Sequence, residues 1–328
     1  MNTYLVTGAT GYVGSNLVRY IQSEDKDSHI IALVRDRKKA LELELHNVEL
    51  SEGDLADEAE MKRYKLQADY IFHCASVTKS SEMVEHPVEV IKSIVNTTQN
   101  VCELAKRCQA KSVVYLSSME VYGDVDCSDG HRAAEDELGY LDILNARSCY
   151  PMGKRMAENI CYSYYKEYGV PVKIARLAQT FGKGVLPSDS RVFMQFARAA
   201  KEKRDIVLHT SGTSMGNYCG IDDVMQGLMT ILVNGRAGEA YNVVNEANTM
   251  MIRDMAALVC EKTAHGMITV KYDIPQDDRY GYAAATGLRL SGRKLQELGF
   301  VPTQSLQSMY EDAVSYTHLR AHETLSDL

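Results

Sequence analysis

Apolar residues in the first half of the chain fall into short continuous runs separated by stretches with helical spacing. Residues 3–7 form one run that ends in glycines, 29–34 a second, 70–75 a third and 111–117 a fourth. Between them, Leu17, Val18 and Ile21 recur at helical spacing within 15–22, and 88–107 reads as a long helix. A helix over about 153–168 and a strand over 172–177 follow. Strands that are apolar throughout and alternate with helices predict a parallel sheet covered on both faces.

After 181 the pattern loosens into glycines, polar stretches and short apolar runs. The expected fold class is therefore α/β, a doubly wound parallel sheet with a smaller C-terminal lobe. Residues 1–180 form the sheet domain, with a strand near 240–244 returning to it, and 181–316 mainly form the second lobe. Residues 317–328 are polar, carry no apolar stripe and read as a disordered or artefactual tail. No internal repeat appears, and six prolines leave little material for a flexible linker.

Composition narrows the function. The 328 residues are 45% hydrophobic and 24% charged, with a net charge of −8. That composition is globular, and the acidic balance argues against a nucleic-acid surface, which needs a concentrated positive field. No run approaches the ~20 apolar residues of a membrane span. None of the eight cysteines forms a C-x-x-C pair and no Cys/His cluster has zinc spacing, so no metal is expected. Buried or half-buried thiols in a reducing, cytoplasmic setting are the expectation.

Gly8-Ala9-Thr10-Gly11-Tyr12-Val13-Gly14 follows the first strand and opens the first helix. Glycines let the backbone turn tightly and approach a pyrophosphate, and the helix N-terminus offers it free N–H groups. Tyr150 and Lys154 form a Tyr-x-x-x-Lys pair opening a helix. Residues four apart share a helix face, so the ammonium can sit beside the phenol and favour phenolate over its ordinary pKa of ~10. Such a phenol can take a hydroxyl proton as hydride leaves the same carbon. Ser117-Ser118-Met119-Glu120-Val121-Tyr122-Gly123 follows the fourth of the runs above, where a hydroxyl can hold the substrate oxygen.

The G-x-x-G-x-x-G spacing and these two motifs resemble the short-chain dehydrogenase/reductase superfamily, which implies a Rossmann-type sheet. In that resemblance, Asp54 and Leu55 of Gly53-Asp54-Leu55 meet the adenine. Cys74 and Ala75 of Phe72-His73-Cys74-Ala75 run beside the nicotinamide, and Asn96 matches a recurrent helix asparagine. Ser118 matches the catalytic Ser/Thr, with Ser117 before it beside the substrate. Cofactor choice turns on Leu33-Val34-Arg35-Asp36-Arg37: Arg35 stands where an acidic residue would select NAD, and it can bind a 2′-phosphate. Arg35 leans the reading toward NADP, and Asp36 could restore NAD.

The stretch from Ser117 to Arg176 resembles the extended branch, the NAD-dependent epimerases and dehydratases, and within it UDP-glucuronate decarboxylases. Arg147-Ser148-Cys149-Tyr150, Gly153-Lys154-Arg155, Ala157-Glu158, Arg191-Val192 and Asn217-Tyr218-Cys219 follow that pattern. The resemblance implies Glu120 as an active-site glutamate, and Lys79, Gln179, Arg191 and Arg279 as substrate contacts. Met119 replaces the aspartate of 4,6-dehydratases and the small hydroxyl residue of decarboxylases. Gln179 stands where such enzymes carry Asn, and Gly216 where they carry an Arg that grips the diphosphate. The implied function is an NAD(P)-dependent nucleotide-sugar epimerase, decarboxylase or dehydratase working through a 4-keto sugar. An NADPH-dependent ketone or aldehyde reductase and a non-catalytic dinucleotide sensor are the alternatives. The helices over 88–107 and 153–168 are expected to pair two copies into a homodimer.

Overall fold

A computed structural model of the chain describes residues 1–43, 45, 47–186, 189–275 and 286–315. Its centre is a sheet of seven parallel strands: β1 (Thr3–Thr7), β2 (His29–Val34), β3 (Glu49–Glu52), β4 (Tyr70–His73), β5 (Ser112–Ser118), β6 (Val172–Leu177) and β7 (Ala240–Val243). Their spatial order is β3–β2–β1–β4–β5–β6–β7. The order reverses beside β1, where open α/β sheets bind ligands at the carboxyl ends of their strands.

Period-two alternation divides the strand residues between two faces. Tyr4, Val6, Ile30, Ala32 and Val34 join one core with helices α1 (Tyr12–Glu24) and α5 (Ile221–Asn234). Leu5, Ile31, Leu33, Val113 and Tyr115 join the opposite core with α2 (Pro87–Cys108) and α3 (Cys149–Tyr168). The doubly wound α/β expectation is met. A third core lies in the second lobe around α4 (Val192–Lys201), where Phe181 stacks on Phe193 at 4.5 Å and meets Tyr310 edge-on at 5.0 Å.

Three differences from the sequence expectation matter for the site. Strand β4 ends at His73, so Cys74 and Ala75 lie beyond it on the crevice side. Helix α3 begins at Cys149, not near 153, which puts Tyr150 in its first turn. The apolar pattern does not predict the edge strand β3: its sequence is Glu-Leu-Ser-Glu, with both glutamates exposed. Six cysteines are buried and two half-buried. Among the described residues no helix is long and apolar enough to cross a membrane. The expected tail lies outside the described residues.

Candidate functional site

The glycine loop connects β1 to α1. Gly8 has φ +65°, a conformation that side chains with a Cβ rarely adopt. A Cβ there would lie 2.7 Å from Cα and N of Ala75, and one at Gly14 would lie 2.3 Å from the Gly8 carbonyl oxygen. Strand β1, helix α1 and the end of β4 therefore close on a cradle that a single methyl group would fill. The first amides of α1 have no partner within the helix and carry its positive dipole end. This cradle fits a dinucleotide pyrophosphate.

A cleft of about 980 Å³ opens over the cradle. Gly8, Thr10 and Gly11 line it, while Tyr12 and Val13 turn their side chains into apolar cores. The Tyr12 hydroxyl donates to the Lys183 carbonyl at 3.1 Å and so ties the loop to the second lobe. Toward β2 and β3 the lining is Arg35, Asp36, Lys39, Asp54 and Leu55. Asp36 caps the short helix Arg37–Leu41, its Oδ1 accepting from the amides of Lys38 (2.9 Å) and Lys39 (3.2 Å). Arg35 and Lys39 are exposed, so this end presents two cations beside a carboxylate already engaged by backbone. Toward β4 the lining is Cys74, Ala75 and Val77, with Lys79 and Asn96.

Ser118 ends β5, and its hydroxyl accepts from the Glu120 amide at 3.2 Å. Tyr150 is buried, and the Ser118 hydroxyl at the end of β5 is among the groups that favour its phenolate. Lys154 is buried one turn further along α3 and donates to the Leu116 carbonyl at 2.7 Å. Its ammonium lies 5.9 Å from the Tyr150 ring centroid and interacts with Cys74 at the cleft. Tyr150, Lys154 and Ser118 are thus brought together beside the β4 end of the cleft. The expected depression of the phenol does not hold in the chain by itself. Burial pushes Tyr150 up to about 12 and the Glu120 carboxylate adds to the rise; the Ser118 hydroxyl, Arg147 and Arg191 oppose it. Burial also pulls Lys154 down to about 8, against the pull of Glu158.

Ser117 departs from its expected role. Its hydroxyl points away from the cleft and donates to the buried Glu158 carboxylate at 2.6 Å, because strand alternation puts it on the opposite side from Leu116. Glu120 does not stand alone: Arg147 grips both of its oxygens, at 3.1 and 2.9 Å. Arg191 is paired with Asp189 through Nε, 3.1 Å from each carboxylate oxygen, and through Nη2 at 2.5 Å from Oδ2, yet its charge reaches Tyr150. The Gln179 amide donates to the Asn217 carbonyl at 2.9 Å within a two-stranded ladder, Gln179–Phe181 beside Tyr218–Gly220. At Gly216 a Cβ would lie 2.4 Å from the Tyr218 hydroxyl, so the tyrosine fills the space an arginine would enter. Arg279 lies outside the described residues. Sequence reading assigned no role to Arg147, Lys39 or Arg176. The signal for Arg176 was available: a charged residue inside the apolar strand β6.

The profile of the NAD dependent epimerase/dehydratase family matches residues 4–245. Among curated proteins, the UDP-glucuronic acid decarboxylase 1 of Danio rerio is 29% identical over 282 residues, 84% of this chain and 65% of that protein. The enzyme of the same name from Xenopus tropicalis is 30% identical over 245 residues, 74% of this chain and 56% of that one. The chain thus spans less than two thirds of the length of these relatives. Among solved structures, the UDP-glucose 4-epimerase of Thermotoga maritima with UDP-glucose superimposes with a TM-score of 0.83 at 21% identity, covering 97% of this chain and 99% of that one. The UDP-glucuronic acid 4-epimerase of Bacillus cereus with UDP-glucuronic acid and NAD gives 0.78 at 19%, covering 97% and 99%. At such identities these structures establish the fold.

Proposed function

The chain belongs to the NAD dependent epimerase/dehydratase family, and on that premise we propose that it remodels a nucleotide sugar through a 4-keto intermediate. The observation that carries the proposal is the meeting of Ser118, Tyr150 and Lys154 beside the glycine-cradled cleft. Gly8, Thr10 and Gly11 would hold the dinucleotide pyrophosphate, with Asp54 and Leu55 at the adenine and Cys74 and Ala75 at the nicotinamide. When bound, the nicotinamide supplies the hydride acceptor, its oxidised ring a positive charge. Ser118 positions the sugar C4 hydroxyl, and Tyr150 takes its proton. Lys154 supplies positive charge under the phenol, and burial of the group keeps water away. A C4 ketone then acidifies C5 or eases loss of a C5 carboxylate, which is where epimerase, dehydratase and decarboxylase outcomes diverge. Glu120 is the acid–base candidate for that step, and Arg191 a contact for the nucleotide diphosphate.

A second reading, a net NADPH-dependent reductase of a ketone or aldehyde, draws on Arg35 and Lys39 at the β2 end and on Tyr218 filling the space beside Gly216. Exposed Val88 and Ile91 on α2 and Met152 and Met156 on α3 favour a homodimer through these helices.

Two measurements test the proposal. Nucleotide released on denaturing the purified protein is identified first. Retained NAD(H) supports an internal redox cycle; an empty protein that binds NADPH far better than NADH supports the reductase. UDP-glucuronate is then offered to the wild type and to Tyr150→Phe, and full activity of the variant would remove the proposed role of the tyrosine.

A further inference from the structure

Three adjacent strands place polar side chains at one level of the sheet: Ser117 on β5, Arg176 on β6 and Asn242 on β7. Ser117 pairs with Arg176 and Arg176 with Asn242 in the parallel register. The preceding residues on the same side, Tyr115 and Ile174, belong to the apolar core under α3. Glu158 reaches into this row from α3. Its Oε1 accepts from Ser117 Oγ at 2.6 Å and Arg176 Nε at 3.0 Å, and its Oε2 accepts from Arg176 Nη2 at 2.7 Å. Arg176 Nη1 donates to the Tyr122 hydroxyl (3.2 Å) and the Glu135 carbonyl (2.6 Å), and Tyr122 donates to Asn242 Oδ1 (2.8 Å). All of these side chains are buried except that of Glu135, which is half-buried and whose Oε1 also accepts from the Asn242 amide at 2.8 Å.

A buried ion pair is often no more stabilising than apolar residues of the same volume. Stability alone therefore does not account for this one, and its location does. Tyr150, Lys154 and Glu158 follow one another at intervals of four along a single face of α3. Lys154 is tied to Leu116 and Glu158 to Ser117, the two residues immediately before Ser118. We propose that Glu158, anchored by Ser117 and Arg176, is a positioning residue that fixes α3 over β5 so that Tyr150 meets Ser118, and that it supplies the buried negative charge facing Lys154. The inference rests on the roles of Tyr150 and Lys154 proposed above.

The surroundings of Lys154 carry the second half. Burial works against its ammonium; Glu158 is the largest opposing influence, followed by Cys161 of the same helix and Cys74 beyond β4. His73 of β4 and the Tyr115 ring of β5 also face it, and neither brings a full negative charge.

The test is an NMR titration of isotopically labelled lysines in the full chain, with the Lys154 signal assigned by its loss in Lys154→Met. In Glu158→Gln the Lys154 midpoint moves down by about one pH unit or more. Should that variant not fold, Glu158→Leu combined with Arg176→Met removes both charges without leaving an unpaired guanidinium, and gives the same downward shift. An unmoved midpoint in either folded variant overturns the electrostatic role. Ser117→Ala tests the anchor: kcat falls about tenfold with KM held within about twofold, and Ser117→Thr restores it. A lowered melting temperature with unchanged kcat overturns the positioning role. Because the titration needs no substrate, failure of this inference and failure of the sugar chemistry read differently.

Discussion

Arg147 clasps Glu120 at two points, 3.1 and 2.9 Å, across the short 3-10 turns that precede Tyr150 and follow Ser118. Both charges act on Tyr150, in opposite directions: Glu120 raises the phenol and Arg147 lowers it. Removing the guanidinium in Arg147→Gln takes away one of the groups that oppose the carboxylate, leaving Ser118 and Arg191. The phenol is then harder to ionise, so the acid limb of kcat/KM moves to higher pH by about one unit. Activity at neutral pH drops about tenfold. The double variant with Glu120→Gln should return the limb toward its original position, a non-additivity that a double-mutant cycle measures. A limb that stays in place in Arg147→Gln would show that the pair does not govern Tyr150.

Gly8→Ala probes the cradle. The new methyl group would lie 2.7 Å from the Ala75 backbone, and φ +65° strains any residue with a Cβ. Relief requires Ala75 to withdraw from β1, which deforms the cradle intended for the pyrophosphate. The expected outcome is loss of dinucleotide binding by more than about a hundredfold, together with a lowered melting temperature. Calorimetric titration with NADH and NADPH reads the first. Retained binding of either would move the cofactor away from this loop.

Arg35→Ala separates the two cofactors. A guanidinium on a phosphate contributes about 1.5–3 kcal/mol, so NADPH affinity falls roughly tenfold to a hundredfold while NADH affinity changes little. Lys39→Ala has the same direction and a smaller effect, since a point charge lacks the bidentate geometry. Equal losses for both nucleotides in Arg35→Ala would assign it to the adenosine rather than to a 2′-phosphate.

Met156 is 52% exposed on the outer side of α3, with Met152 and Ile91 also exposed. Met156→Glu adds a charge where a monomer would tolerate it at little cost. In the proposed dimer the charge is buried, so sedimentation velocity should show dissociation with an unchanged monomer fold. A variant that remains associated places the interface elsewhere.

The strands of the sheet centre were legible because both of their faces are covered, so β1, β2 and β5 read as continuous apolar runs. Strand β3 escaped because it sits at the sheet edge with Glu49 and Glu52 facing water. The second lobe escaped for a different reason: its strands are two or three residues long, too short to display a period. In the site, Tyr150 and Lys154 were legible as a helical pair, and the glycines as a strand-to-helix turn. Ser117 and Ser118 could not be separated by composition. Period-two alternation sends neighbours to opposite sides, and the hydrogen bond to Glu158 shows that Ser117 faces α3. Glu158 and Arg176 carried their signal in isolation, as charges in apolar surroundings, but their meeting depends on tertiary packing.

His73 supplies the last prediction, one of acid stability. It is buried at the end of β4, with Nδ1 2.8 Å from Thr7 Oγ1 and the Tyr115 ring at 5.6 Å. Burial, helped by the Lys154 charge, pulls it from the ordinary 6.5 down to about 3. The folded state therefore prefers neutral imidazole, while the unfolded chain takes up a proton below 6.5. The contribution is fully present above pH 6.5 and is lost progressively as pH falls toward 3, a swing of up to about 5 kcal/mol. His73→Gln cannot titrate. It should be less stable than wild type at pH 7, because Thr7 loses a well-placed partner, yet its urea midpoint should fall less steeply between pH 6.5 and 4. Carboxylates contribute to the slope of both proteins, so the difference between the two profiles isolates the histidine. Parallel profiles would mean that His73 is protonated in the folded chain and that its burial is relieved in solution.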